Sequence, residues 1–284
     1  STIGGFFGSS TSQRGMNMTI RDCLNNGAVT AKGNNVGGFV GQFQRCTQVR
    51  MEIINSVNNG NASATPSGYN VGGFVGLFQG NKEVNMNLSN CFNNGFITAQ
   101  YDKVGGFIGY ITNNTSLKLS AQSCFNNAYV RGNKCIAGFF GYVHINNNLA
   151  IHLDNCSNNE IIDGYEKYIG GFMGYISRNK NINVTISESA NLGFISGGIK
   201  YTGGFIGSIY ENIDIMVNGF NCSSQNQTIG SSSVGGFVGS VENNMMVKLT
   251  LSEMKSISME NKSSELTGMF IGTISSNAQS HITL

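Results

Sequence analysis

The chain has 284 residues, a net charge of +2 and only 11% charged residues, with no run of Lys or Arg; that excludes the clustered positive surface a nucleic-acid partner needs. No apolar stretch approaches the ~18 residues of a membrane span, so direct membrane insertion of this segment is not expected. Gly and Asn number 39 each, Pro 1 and Trp 0, while Ala, Leu, Glu and Lys, the residues that favour helices, are scarce as a set.

The first element along the chain is a glycine–phenylalanine signature, and it repeats. Its first residues are Gly4, Gly37, Gly72, Gly105, Ala137, Gly170, Gly203, Gly235 and Gly268, in steps of 33, 35, 33, 32, 33, 33, 32 and 33. Nineteen residues after a start lies a second mark: Cys23, Ser56, Cys91, Cys124, Cys156, Ser189, Cys222 and Met254. A fixed period of this length is the mark of a stacked-repeat architecture.

Each copy predicts three strands in order. The first carries the signature. The second alternates, as in Val84-Asn85-Met86-Asn87-Leu88 and Ile182-Asn183-Val184-Thr185-Ile186, the period-two pattern of a half-buried strand. The third follows an Asn-Asn-Gly turn, as in Phe96-Ile97-Thr98-Ala99, and fades in the last copies, where Thr228 and Glu260 take the apolar place. A single copy cannot bury its own apolar face, so stacking must supply the core. The expected fold is all-β: a right-handed parallel β-helix of about nine coils, ~33 residues and three strands per coil. Residues 1–284 form one domain; both termini fall inside a coil, so the chain is expected to be a slice of a longer array.

Stacking puts equivalent residues in columns about 4.8 Å apart. One column is Phe in all nine copies: Phe6, Phe39, Phe74, Phe107, Phe139, Phe172, Phe205, Phe237 and Phe270; two places on, the column is Gly in all nine. Ring beside glycine suits a narrow interior. Cys91, Cys124 and Cys156 fall in successive coils, and the replacement of Cys by Ser at 56 and 189 favours free buried thiols over disulfides. Seven Cys cannot all pair within the chain, and Cys46 and Cys135 lie outside the column. Stacked Asn amides in the turns are expected to bond along the rod.

The first strand is apolar on both faces. Opposite the Phe column stand Val36, Val71, Val104, Ile136 and Ile169, then Val40, Val75, Ile108, Phe140 and Met173, then Leu77, Tyr110, Tyr142 and Tyr175. Two readings follow: the chain's own Asn-rich link folds back over this flank, or the flank is an exposed patch that docks a partner. On the second reading Leu77, Tyr110, Tyr142 and Tyr175 are the binding residues.

Catalytic β-helices need acids gathered within reach of one another. Here Asp22, Asp154 and Glu188 precede the Cys column, and Asp102, Asp163 and Glu166 are placed in turns, with no column collecting two or three. His144, His152 and His281 have no metal-ligand spacing. No catalytic residue, metal site or cofactor is expected, and a polysaccharide-acting enzyme is the third reading. Ten Asn-x-Ser/Thr sequons, among them Asn17, Asn87, Asn183 and Asn261, are as many as this Asn content yields by chance.

The signature, the Cys or Ser mark and the Asn-Asn-Gly turn together resemble the GLUG repeat over essentially the whole chain, with Phe in place of the family's Leu and a longer link, such as Thr112-Asn113-Asn114-Thr115-Ser116, between the first two strands. The resemblance implies a β-helical stalk or adhesin, as in large bacterial surface proteins, and gives no activity. The expected role is a non-catalytic structural or adhesive segment at the cell surface, meeting a protein or a surface glycan. The alternative is an intracellular scaffold or filament that self-associates through the rod's flank or ends.

Overall fold

Alternation sets the longest strands. In Lys82–Ser89, Val84, Met86 and Leu88 turn inward and are buried, while Asn85 stays exposed. The residues opposite Val84 are Val49 in the coil before and Leu117 in the coil after, so the apolar side of each strand meets its own kind. The computed structural model describes residues 2–65, 68–261 and 266–284. Among them the regular elements are strands, joined in parallel pairs into three sheets. One sheet stacks nine strands such as Val75–Gln79, a second stacks nine such as Lys82–Ser89, and a third is assembled from 21 mostly short pieces such as Phe92–Asn93, Ile97–Ala99 and Val104–Gly105. The fold is the expected parallel β-solenoid with three sheets.

The signature, expected as one strand, is a corner instead. Val71–Gly72 belongs to the third sheet and Val75–Gln79 to the first, with Gly73 and Phe74 between them. The corner explains why this stretch is apolar throughout: it serves two cores. Val36, Val71, Val104, Ile136 and Ile169 pack with Val29, Ala31, Ala62, Ala64, Ile97 and Ala99 in a small core. Val40, Val75, Ile108, Phe140 and Met173 instead join the Phe column, the inward residues of the eight-residue strands and the Cys column in the large one. In the last described copies Met259, rather than Glu260, stands opposite Thr228. Asp163 and Glu166, expected in turns, lie in the strand Ile162–Gly170.

Phe39, Phe74, Phe107, Phe139, Phe172, Phe205 and Phe237 are fully buried, and the rings from Phe6 to Phe237 stack with centroids 4.6–4.9 Å apart. The glycine two residues on, expected beside the ring, faces backbone instead. A Cβ on Gly76 would stand 2.7 Å from the backbone of Val36 and from the Gly41 carbonyl, so glycine is required where two backbones cross.

Two buried columns of Asn run through successive coils of the rod. One is the expected turn ladder: Asn25, Asn58, Asn93, Asn126, Asn158 and Asn191, each Nδ2 donating to the next Oδ1 at 2.7–2.9 Å. The other was not expected and consists of Asn81, Asn114, Asn146, Asn179, Asn212, Asn244 and Asn277. In it the backbone N–H and the Nδ2 of each Asn both donate to the next Oδ1 at 2.8–3.0 Å. The remaining amide proton reaches back to a carbonyl of the preceding coil, as from Asn146 to Ile111 at 3.2 Å. Burial of these amides is tolerable because their bonds are met by neighbours.

Asn146→Asp should therefore test the ladder. The aspartate loses both donors and buries a charge, so unfolding at pH 7 should come at least ~3 kcal/mol more easily. Its folded-state pKa would lie above the unfolded value, so the protonated form favours folding and the penalty should shrink as pH falls through the folded pKa. Urea unfolding at pH 7 and pH 4 reads this; an equal loss at both would refute the ladder's role.

Candidate interface on the tyrosine flank

Leu77, Tyr110, Tyr142 and Tyr175 do stand in one register column of the first sheet. The Tyr110 and Tyr142 rings stack at 5.2 Å and the Tyr142 and Tyr175 rings at 5.0 Å. Seven residues before each lies Asn70, Lys103, Cys135 or Tyr168, all with left-handed backbone, φ between 57° and 67°. That conformation turns the side chain over the column. Lys103 Nζ sits 4.4 Å from the Tyr110 ring centroid, and the Tyr168 ring stacks on Tyr175 at 3.8 Å. Leu77 and Tyr175 are consequently only 6% and 8% exposed, while Tyr110 and Tyr142 are half-buried.

The expected aliphatic stripe is thus not on the surface. Val36, Val71, Val104, Ile136 and Ile169 are covered by the chain itself, and the cover is the third strand rather than the Asn-rich link. What remains outside is aromatic and cationic. Tyr168 and Tyr201 stack at 5.5 Å and continue the tyrosine row, with Tyr210 6.3 Å from Tyr175. Lys134, Lys167 and Lys200 run beside them in adjacent coils, and Lys134 pairs with Glu166 at 2.7 Å. Sequence reading missed Tyr69, Lys103, Tyr168 and Tyr201. For all but Tyr69, which stands three residues before Gly72, the signal was positional: Lys103, Cys135, Tyr168 and Tyr201 each stand two residues before a signature start.

Burial holds the phenols in their neutral form. It raises the pKa values of Tyr110, Tyr142 and Tyr175, and pushes Tyr201 up to about 12 with help from the Glu242 carboxylate. The Tyr142 hydroxyl lies 2.9 Å from His144 Nδ1 and 3.0 Å from Ser177 Oγ; burial lowers the His144 pKa. Lys103 is also pulled down by burial. The arrangement offers ring faces, phenol tips and ammonium groups, which suits binding.

All seven cysteines are free, and Cys91, Cys124, Cys156 and Cys222 are buried, with Cys23 partly so. The structure shows why Ser replaces Cys: both donate to the carbonyl two residues back. Cys91 Sγ reaches Ser89 O at 3.3 Å, and Ser189 Oγ reaches Ser187 O at 2.7 Å. Contacts from Cys156 and Cys91, then burial, push the Cys124 thiol far above the ordinary thiol range. Cys46 occupies the head of the second Asn ladder, its N–H donating to Asn81 Oδ1 at 2.9 Å, and Cys135 is buried against the tyrosine flank, where burial raises its pKa. Among the described residues no group of three or more His, Cys, Asp or Glu is placed to hold a metal, and no helix is long and apolar enough to cross a membrane.

Comparison with family models, with curated proteins and with solved structures found no match for this chain.

Thiol titration in denaturant without reductant should find all seven cysteines free; a disulfide within Cys91, Cys124 and Cys156 would contradict the structure. The tyrosines predict an alkaline limit. Their folded pKa values lie above the unfolded value of ~10, so their contribution is complete below pH ~10 and is lost as pH rises through the folded values. Phenolate absorbance should show Tyr201 titrating near 12 with unfolding close behind; full ionisation by pH ~10.5 in a still folded rod would be the contrary result.

Proposed function

We propose that this chain is a non-catalytic structural or adhesive rod that meets a partner protein or a surface glycan through its tyrosine flank. The observation that carries the reading is the row of tyrosines along several successive coils, half-buried at Tyr110, Tyr142, Tyr168 and Tyr201 and flanked by Lys134, Lys167 and Lys200. Held rings lose little conformational freedom on binding and present an apolar body with a polar tip, the composition that interfaces favour. The scattered carboxylates support a role without catalysis. Asp163, for example, accepts from the Tyr129 hydroxyl at 2.7 Å and lies 3.4 Å from Arg131. The resemblance of the repeat to GLUG arrays supports a stalk or adhesin segment at the cell surface.

A second reading, a filament or intracellular scaffold built by rods packing side by side, rests on a different face. On the outer side of the eight-residue sheet, Ile213, Met216, Met245 and Met246 are exposed, and Ile213 and Met245 are register partners. Exposed apolar groups so close together mark contact surfaces.

The two readings separate by mutation. Replacing Tyr110, Tyr142 and Tyr175 with Ser should weaken partner binding or assembly at least about tenfold while leaving the β-sheet circular dichroism in place. Replacing Met216 and Met245 with Ser should leave that binding alone. If sedimentation shows the methionine pair changing association and the tyrosines not, the filament reading stands and the flank reading falls.

A further inference from the structure

On the outer face of the eight-residue sheet, like does not stack on like. Its central column reads Arg50, Asn85, Lys118, Ala150 and Asn183 through successive coils. Ala150 is the short member, with a methyl group where its neighbours carry long side chains. The face sinks on both sides of it. A depression of about 450 Å³ is lined by Arg50, Asn85, Lys118, Ser120, Ala150 and His152. A second, of about 360 Å³, is lined by Ser116, Asn148, Asn181 and Asn183 and shares Lys118 and Ala150 with the first.

The polar groups around these depressions are open to a ligand. All the polar residues just named except Ser120 are exposed. Among the described residues, the side chains of Asn85, Lys118, His152 and Asn183 have no hydrogen bond or ion pair. Asn181 Nδ2 donates to Asn148 Oδ1 at 2.9 Å, which leaves Asn148 Nδ2 as a free donor and Asn181 Oδ1 as a free acceptor. No carboxylate lines either depression. The acids nearby are engaged: Glu52 with Arg50 at 2.7 Å, Glu83 with Lys82 at 3.6 Å, and Asp154 as acceptor from Ser187 at 2.7 Å. Lys118 is left as a cation with no counter-charge.

These groups define a ligand. The free ammonium, a compact charge with three donors, suits an anionic group. An inorganic ion would fill only a small part of the space. The rest is bordered by amides, a hydroxyl and an imidazole, which offer donors and acceptors together and so complement the hydroxyls of a sugar. Each depression has the volume of a small-molecule site, at the small end. We infer that this face carries a site for an acidic sugar, a residue bearing sulfate or carboxylate within a longer glycan. Its acidic group would meet Lys118, with Arg50 and His152 beside it. The adjoining sugar would lie across Ala150 against Asn148, Asn181 and Asn183. Nucleic acid and anionic membranes are read by larger clusters of basic residues than this. The site lies on a different sheet from the tyrosine flank and does not depend on it.

The test uses the 284-residue chain in calorimetry and saturation-transfer NMR. The probes are a sulfated tetrasaccharide, a uronic acid tetrasaccharide, a neutral tetrasaccharide and inorganic sulfate, with phosphatidylserine vesicles alongside. At least one acidic tetrasaccharide should bind, more tightly than inorganic sulfate, and the two acidic arms tell sulfate from carboxylate. The neutral tetrasaccharide should bind at least about tenfold more weakly. Lys118→Gln should weaken acidic-sugar binding about tenfold. Ala150→Gln, which fills the gap between the depressions, should weaken it severalfold. Lys248→Gln, further along the same column and lining neither depression, should change nothing. Lys118 is exposed and unpaired, so its replacement should leave the β-sheet circular dichroism in place; if Ala150→Gln perturbs the fold, Lys118→Gln decides alone. The proposal is overturned if neither acidic tetrasaccharide binds, if the neutral one binds equally well, or if only vesicles bind. It is also overturned if Lys118→Gln keeps wild-type affinity or if Lys248→Gln weakens binding as much. Replacing Tyr110, Tyr142 and Tyr175 with Ser should leave acidic-sugar binding intact, so failure of the flank reading and failure of this site are separate results. Loss of the acidic sugar in that triple variant would move its site to the flank and overturn this one.

Discussion

Everything in this rod depends on in-register stacking of equivalent residues at the spacing of neighbouring strands. That constraint turns a weak preference into a rule: a side chain must be a good neighbour to copies of itself. Phenylalanine satisfies it by parallel offset rings, and asparagine by an amide that is donor on one side and acceptor on the other. An isolated buried Asn would be a liability. In the column from Asn81 to Asn277 it becomes a structural bond, because each coil supplies what the previous one lacks. The same logic makes Ser and Cys interchangeable at the second mark, since either can reach the carbonyl two residues back.

The corner at the glycine pair links this core to the surface. A strand that turned nowhere would have one inner face; here the turn at Gly73 and Phe74 sends Val71 to one core and Val75 to the other. The residues just before the corner take left-handed backbone and fold outward over the first sheet. Lys103, Cys135 and Tyr168 sit there, so the flank's chemistry is set by positions that the core leaves free to vary. Variation is confined to what one coil can show its two neighbours, which is why the flank changes from amide to cation to aromatic along the rod.

Most of the architecture was legible in the sequence because a repeat reports each position many times. The period, the Phe column and the turn ladder all follow from nine aligned copies. The corner was not legible, since an apolar run without alternation reads equally as a strand covered on both sides. The ladder from Asn81 to Asn277 leaves a trace in the sequence, since each member stands nine residues after a signature start, as in Gly72 to Asn81 and Gly105 to Asn114. The same interval from Gly37 gives Cys46, whose place outside the Cys column is thereby explained. The tyrosine column is legible as a column, but its partners seven residues earlier depend on a backbone twist that residue type alone does not reveal, because Lys103 and Tyr168 are unusual residues for positive φ.

The amide columns also give the rod a direction. In both buried ladders the Nδ2 groups point toward the following coil, from Asn25 to Asn58 and from Asn81 to Asn114 alike. In the outer row the sense is reversed, Asn59 donating to Asn26 and Asn94 to Asn59. Aligned amides polarise one another, so the interior carries a dipole along its axis, partly opposed by the row in solvent. Each ladder therefore turns its acceptors toward the N-terminal coils and its donors toward the C-terminal ones, as where Asn191 Nδ2 donates on to Ser224 Oγ at 3.4 Å. A coil inverted within the stack would set donor against donor on one side and acceptor against acceptor on the other, in both columns at once.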